Sequence, residues 1–379
     1  MRKISKLFLV VTLVLVGSCK KSDEKSPMEV ASLKNEFKDN FYIGTAINKS
    51  QIEERDSIET ALIQKEFNSI TAENIMKSMY IHPAMDTFNF TMADKFVGFG
   101  ENHAMFIHGH TLVWHSQLTP YMSQIKDSSE MALAMEKHIK TIVSRYKGKI
   151  GSWDVVNEAL NEDGTLRKSV FLDAIGANYL ALAYKWTAEA DPNADLYYND
   201  YNMTNAEKRN GAIKIIKDLQ NQDVKIDGVG MQGHWSLESP SINEIEESIL
   251  AYAKLGLKVA ITELDINVLP SPWDLVGAGV NQDFENSEKM NPYPKSFPDT
   301  MQIKLSQRYR SIFKLFLKHQ DKISRVTFWG ISDGQSWLNN WPIKGRTNYP
   351  LLFDREWKRK MAYDSILSLK NPINQPRTK

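Results

Sequence analysis

Cysteine is almost missing from this chain: its 379 residues hold one, Cys19. A single thiol excludes an intramolecular disulfide framework, so stability must come from a packed core. An excess of charge of one sign is missing too. The 47 Lys and Arg face 46 Asp and Glu, for a formal net charge of +1. Such a balance offers little to a polyanion, and nucleic acid is not an expected partner. No internal stretch is rich in Pro, Gly or Ser, and no repeat is visible, so one domain is the economical reading. The apolar run "LFLVVTLVLVG" at 7–17 is too short for a permanent membrane span.

That run has another reading. Arg2, Lys3 and Lys6 precede it, and "VGSC" follows it, ending at Cys19. A basic start, an apolar middle and small residues before a lone cysteine are similar to a bacterial lipoprotein signal. The expectation is a signal peptide over 1–18, lipidation of Cys19 and a flexible tether over 19–30. A catalytic domain over 31–370 and a tail over 371–379 complete the chain. The protein would sit outside the cytoplasm, at the outer membrane or cell surface. It would touch the membrane only through the lipid anchor, as a monomer. A plain secretory signal is the alternative.

From Phe41 onward, β-rich apolar runs alternate with helical patterns. The expected strands are 41–46, 67–74, 106–114, 150–158, 195–202, 227–234, 258–265 and 325–332. Helical spacing of apolar residues appears over 130–146, 206–220 and 242–256. Eight strands alternating with helices predict a single (β/α)8 TIM barrel of the α/β class. An open dinucleotide-binding sheet would show a Gly-rich loop after its first strand, and "GTAINKS" does not fit one. Residues 266–300 hold five prolines and read as a long loop after the seventh strand.

The strand ends carry the chemistry. They deliver Glu73 and Asn74, His110 and Trp114, Asn157 and Glu158, Asn199 and Tyr201, Gln232 and His234, Glu263 and Asp265, and Trp329. In a barrel these ends meet on one face. Glu158 and Glu263 each close an apolar approach on different strands. Two carboxyls across a cleft suit glycosidic bond cleavage, one as proton donor and one as nucleophile or base. Asp265 is placed to orient His234, and His234 to hold Glu263 ionised as nucleophile; Gln232 ends the same strand as His234, beside Glu263. Glu158, with Trp153 and valines behind it, is expected to be the less solvated carboxyl and so the acid. The rival is a metal site drawn from His108, His110, His234 and Asp333. It lacks the further late histidines that such barrels use, so neither a metal nor any other cofactor is expected.

These residues lie in motifs that resemble glycoside hydrolase family 10, chiefly endo-β-1,4-xylanases. The motifs are "TAENIMK" (71–77), "GHTLVWHSQ" (109–117), "WDVVNEAL" (153–160), "YYNDYN" (197–202), "GVGMQGHW" (228–235), "ITELDI" (261–266) and "TFWGISDGQSWLNNWPIKGRTNYPLLFD" (327–354). The resemblance spans nearly the whole expected domain. It implies a retaining double displacement on xylan, with Glu158 as acid/base and Glu263 as nucleophile. It also implies support of the nucleophile from Gln232 and His234, sugar contacts from Glu73, Asn74, Lys77, His110, Trp114, Gln117, Asn157 and Tyr201, and aromatic walls from Trp329 and Trp337. A catalytically silent xylan-binding lipoprotein, or an enzyme for another β-1,4-glycan, would share much of this pattern. Trp341 and Gln335 depart from it, where Phe and an acidic residue are expected.

Overall fold

Strands buried on both faces need apolar side chains outward and a filled interior inward, and the chain supplies both. A computed structural model describes residues 31–272 and 287–370. The signal, Cys19, the tether, the tail and part of the 266–300 loop lie outside the described residues. From Ser32 on, the described chain belongs to one unit. Its strands are β1 (Tyr42–Ile47), β2 (Ser69–Ala72), β3 (Phe106–Gly109), β4 (Val113–Trp114) and β5 (Ser152–Asn157). They continue as β6 (Asp195–Asp200), β7 (Gly228–Met231), β8 (His234–Ser236), β9 (Lys258–Asn267) and β10 (Ile323–Phe328). All pairings between them are parallel. β10 pairs with both β9 and β1, with Tyr42 opposite Arg325, and this closes an eight-stave barrel. The expected (β/α)8 architecture is the one observed.

Two staves differ from expectation. The third was read as continuous over 106–114. Instead β3 stops at Gly109, the chain passes through a cis His110–Thr111 peptide, and β4 resumes beside β5. Thr111 Oγ1 and Leu112 N both donate to the Asp154 carbonyl, at 2.9 and 3.1 Å, which draws the chain sideways out of register. The sixth stave breaks likewise between β7 and β8, where Gly233 takes a positive φ of 85°. Helices fall where the periodicity puts them. Ser128–Arg145 starts on an Asp127 cap and Ala206–Gln220 on an Asn205 cap. Ile242–Ala253 starts on a Ser241–Glu244 capping box and ends short of the expected 256. The segment after the seventh stave ends at Pro298, where the helix Asp299–Lys318 begins.

The barrel interior is polar. His108, Ser152, Asp154, Arg325 and Thr327 are all buried. Arg325 on β10 reaches Ser152 on β5, although these strands are not neighbours, so the contact crosses the inside of the barrel. Intervening residues such as Ile70 and Ile107 face outward and pack at Gly100 of the helix Thr91–Asn102. Gly109 is needed where it stands, because a Cβ there would lie 2.1 Å from the Trp153 ring.

Burial also sets how stability responds to pH. Burial, with the neighbouring His82, pushes His138 down to about 3. Burial and the Arg325 charge push His108 down to about 4. Burial lowers His82 as well. Histidines that stay neutral when folded destabilise the fold below their unfolded value of about 6.5, by roughly 1.4 kcal/mol each per pH unit. The partly exposed His234 behaves oppositely. Burial alone would lower it, but Asp265 and Glu263 raise it to about 10. Its stabilisation is complete below about pH 6.5 and is lost as pH climbs toward its folded value. Thermal unfolding should therefore show a Tm maximum near about pH 6.5. His138→Gln should flatten the acid side. A Tm that stays level down to about pH 4.5 in the native protein would contradict this account.

Candidate active site

The carboxylate of Glu263 lies within β9, which runs four residues further, so the side chain is held rigidly and is only 5 % exposed. Burial would raise its carboxyl. The His234 hydrogen bond, the His110 and His234 charges and the Asn199 amide outweigh that and hold it below the ordinary carboxylate range. His234 Nε2 is 3.1 Å from Glu263 Oε2, and His234 Nδ1 is 3.0 Å from Asp265 Oδ1. Asn199 Nδ2 donates to Glu263 Oε1 at 2.9 Å, and the Glu263 amide donates to the Gln232 carbonyl at 2.6 Å. Trp337 Nε1 donates to Asp265 Oδ2 at 2.8 Å, which fixes the carboxylate that orients the histidine. The expected Asp265–His234–Glu263 line is thus present.

Glu158 follows the last residue of β5 and takes a φ of 56°, in the left-handed region unusual for a side-chain-bearing residue. Its amide donates to the Asn199 carbonyl, and its own carbonyl accepts from Arg167 Nε at 3.0 Å. The twist swings its carboxyl past the strand tip. Trp114 Nε1 donates to one oxygen and Gln232 Nε2 to the other, each at 3.0 Å. Two expectations fail here. Glu158 is not the less solvated carboxyl: it is partly exposed while Glu263 is buried, because the tip residue projects outward and the mid-strand residue does not. Nor does the Gln232 side chain support Glu263. Its amide turns to Glu158 and lies 3.4 Å from Asn157 Oδ1, because the oxygens of Glu263 are taken by His234 and Asn199.

Asn157 and Asn199 lie 3.0 Å apart and link the surroundings of the two carboxyls. Around them stand aromatic rings. Trp329 meets His110 at 5.6 Å and His234 at 6.2 Å between centroids, and Trp337 meets His234 at 4.9 Å. Lys77 Nζ donates to Asn74 Oδ1 at 3.0 Å and stands 4.8 Å over the Trp114 ring. Burial lowers Lys77 against the pull of Glu263, Glu73 and Glu158, so all three carboxylates face it. Burial raises Glu73, partly offset by Lys77. Gln117 ties into the same rim through its carbonyl, which accepts from Met79 N, and its buried Oε1 has no partner among the described residues. Tyr201 connects to Glu158 through Arg167, whose Nη2 donates to the Tyr201 hydroxyl and whose Nε donates to the Glu158 carbonyl.

The residues considered for a metal go elsewhere. His108 and His110 both contact Asp154, His234 serves Glu263, and Asp333 accepts from Lys360 Nζ at 2.8 Å. Asp154, Arg167, His115 and Lys208 were not singled out from the sequence. The ring of His115 lies in the charge field of Glu158 and Arg167 and is lowered by burial. Lys208 is fully buried under the Tyr201 ring at 3.4 Å and pairs with Asp200 at 2.9 Å. Asp154 did leave a signal, since a carboxylate inside the apolar "WDVVNE" must find partners.

A parallel barrel with two differently held carboxyls, amide donors and tryptophan walls at one end defines a carbohydrate-cleaving hydrolase of the two-carboxylate type. Comparison with known proteins narrows the class. The sequence profile of glycosyl hydrolase family 10 matches residues 32–369, and the chain belongs to that family. Endo-1,4-beta-xylanase A of Xylanibacter ruminicola is 43 % identical over 334 residues, covering 87 % of this chain and 90 % of the relative. The beta-1,4-xylanase of Dictyoglomus thermophilum is 37 % identical, covering 95 % and 97 %. A solved GH10 endoxylanase retrieved from a sugarcane soil metagenome is 46 % identical, covers 89 % of this chain and all of its own, and superposes with a TM-score of 0.85.

The His234 charge depends on Asp265. Asp265→Asn should let His234 lose its proton nearer neutrality and weaken the hold on ionised Glu263. We expect kcat/KM to fall by roughly 10²-fold, with the alkaline limb of the pH profile moving toward neutral. An unchanged alkaline limb in a folded variant would count against the assignment.

Proposed function

We propose that this chain is an endo-acting, retaining β-1,4-xylanase that works without a cofactor. The observation that carries the proposal is the pairing itself. Glu158 and Glu263, 105 positions apart by their numbers, are joined through Gln232, Asn157 and Asn199 into one hydrogen-bonded set. Glu263 attacks the anomeric carbon while Glu158 gives its proton to the departing oxygen, and the glycosidic bond breaks. A glycosyl ester on Glu263 results. Glu158, now a carboxylate, takes a proton from water as that water attacks the same carbon. The ester C–O bond breaks and both carboxyls regain their starting states. Two inversions leave the configuration retained.

The substrate reading rests on chemistry as well as on kinship. Asn74, Lys77, His110 and Gln117 offer hydrogen bonds to sugar hydroxyls, and Trp329 and Trp337 offer flat apolar faces. We assign to Trp337 the exclusion of glucose chains. A xylosyl unit lacks the hydroxymethyl group that would meet this wall. Tyr201 is assigned to the leaving-group side. The N-terminal signal supports a lipoprotein outside the cytoplasm, anchored through Cys19 and acting as a monomer.

Six measurements test this. Glu263→Ala should lose about 10⁴-fold or more of turnover on xylan. Glu158→Ala should keep measurable activity on aryl xylobiosides with good leaving groups, and added azide should raise it. The first product read by proton NMR should carry the β configuration, and α product would rule out retention. Equal rates on xylan and soluble cellulose derivatives would reject the role given to Trp337. No reducing-sugar release from xylan would favour the silent binding protein. Cys19→Ala should move the protein from the membrane fraction to the soluble one.

A further inference from the structure

A line of buried side chains runs down the barrel axis from the cleft. His110 Nδ1 is 2.9 Å from Asp154 Oδ2, and His108 Nε2 is 3.0 Å from the same oxygen. His108 Nδ1 is 2.6 Å from Ser152 Oγ, and Arg325 Nη1 donates to that hydroxyl at 3.2 Å. His108, His110, Ser152, Asp154 and Arg325 are each no more than 2 % exposed. Below them a cavity of about 450 Å³ opens at the other end of the barrel, with Arg325, Ser152 and Tyr197 among its walls.

We propose that Arg325 is a remote positioning residue for His110, fixing where the hydrogens sit along the line Arg325–Ser152–His108–Asp154–His110, in which His108 and Asp154 meet as a close charge contact and the other links are hydrogen bonds. The argument uses only what each group can do. A guanidinium donates and never accepts, and an ionised carboxylate accepts and never donates. Between them stand one hydroxyl and one imidazole, each with a single hydrogen when neutral. Arg325 occupies one lone pair of Ser152 Oγ, and the other structural partner of that oxygen is His108 Nδ1. One arrangement gives the Ser152 hydrogen an acceptor and turns an N–H rather than a lone pair toward the Asp154 charge 3.0 Å away. Ser152 donates to a bare His108 Nδ1, and His108 carries its hydrogen on Nε2, facing Asp154. Asp154 then takes a second donor, the Nδ1–H of His110. The Nε2 edge of His110 is thereby presented to the cleft in one fixed orientation.

The charges around His108 agree with this. Arg325 faces it from β10, Asp154 from β5 and His110 from its own stave, and the Tyr197 ring of β6 meets it edge-on at 6.1 Å. Burial and Arg325 keep His108 neutral, down to about 4. Burial alone would raise Asp154, but His108 and His110 more than offset it, and its carboxyl stays well below the ordinary range. A protonated His108 would place hydrogens on both sides, leaving the Ser152 hydroxyl to accept twice and donate to nothing. It would also compete with His110 for Asp154.

The functional consequence rests on the xylanase reading, but the hydrogen positions do not. In ¹⁵N-histidine NMR of the whole native chain, His108 should show a bare Nδ1 and a protonated Nε2 from about pH 8 down to about pH 5, with His110 protonated on Nδ1. In Arg325→Met, His108 should take up a proton within that range, and kcat/KM on xylohexaose should fall about fivefold or more near pH 5 and much less near pH 8. Arg325→Lys should restore the native profile. If Arg325→Met fails to fold, Ser152→Ala serves, and there His108, its Nδ1 no longer facing a donor, should take up a proton within that range. A native His108 with hydrogen on Nδ1, or one that titrates near 6.5, overturns the proposal. So does activity loss in these variants that is equal at every pH and follows Tm alone. A native protein inactive on xylan would sink the functional reading and leave the NMR result to decide the relay.

Discussion

A negative charge kept inside a nearly dry site is the constraint on which the rest of this structure depends. Glu263 is 5 % exposed, and burial alone would drive a proton onto it. A protonated carboxyl is a poor nucleophile. What prevents protonation is a layered set of donors, in which His234 and Asn199 touch the carboxylate and Asp265 holds His234 in its charged form. Trp337 then fixes Asp265. These layers explain local features that look unrelated. β9 has ten residues, the longest strand described, and so carries Glu263 and Asp265 on one rigid ladder. β8 pairs His234 directly with Asp265 after the turn at Gly233, and so brings the imidazole into line. Each feature would be an oddity alone. Together they are what an ionised buried nucleophile requires.

The second carboxyl shows how one residue type acquires another task through backbone alone. Glu158 has the same side chain as Glu263 but stands beyond a strand end with a positive φ. Such a conformation has an energetic cost, and it persists only where surrounding contacts fix it. Here the contacts are the Asn199 carbonyl on one side and Arg167 on the other. The outcome is a carboxyl partly open to solvent, where it can meet both a leaving oxygen and an incoming water. The two roles therefore fall opposite to what burial alone would give. In the mechanism we propose, the nucleophile is the buried group because it is paired with a cation, and the acid/base is the open one because protons must come and go.

The barrel was legible because parallel strands buried on both faces cannot hide their apolar runs, and eight of them alternate with helices. Glu158 and Glu263 were legible because each ends such a run. The Asp265–His234–Glu263 line could be read from the spacing of two residues along a strand. The break in the third stave was not legible, since "FIHGHTLVW" is strand-like throughout and the disturbance comes from the Asp154 carbonyl on another strand. The partner of Gln232 was missed for a similar reason. Sequence spacing places the residue near both carboxyls, but only competition among donors decides which one it serves. Arg167 and Lys208 lie in a loop and on a helix, and act through Tyr201 and the Glu158 backbone. Neither position announces a polar partner tens of residues away.

Cations complete the electrostatics of the cleft. Lys77 faces Glu73, Glu158 and Glu263, yet burial lowers it, so its charge is held up by those three neighbours rather than by water. His234 carries a second positive charge beside Glu263. A neutral sugar entering this space displaces water from every one of these groups. Its hydroxyls must replace the lost hydrogen bonds, or the desolvation cost rises on both signs of charge. That requirement favours ligands with hydroxyls at their edges and little bulk over their faces, because Trp329 and Trp337 offer flat apolar walls. The same groups that keep the nucleophile ionised thus also select the chemistry of what can lie against it.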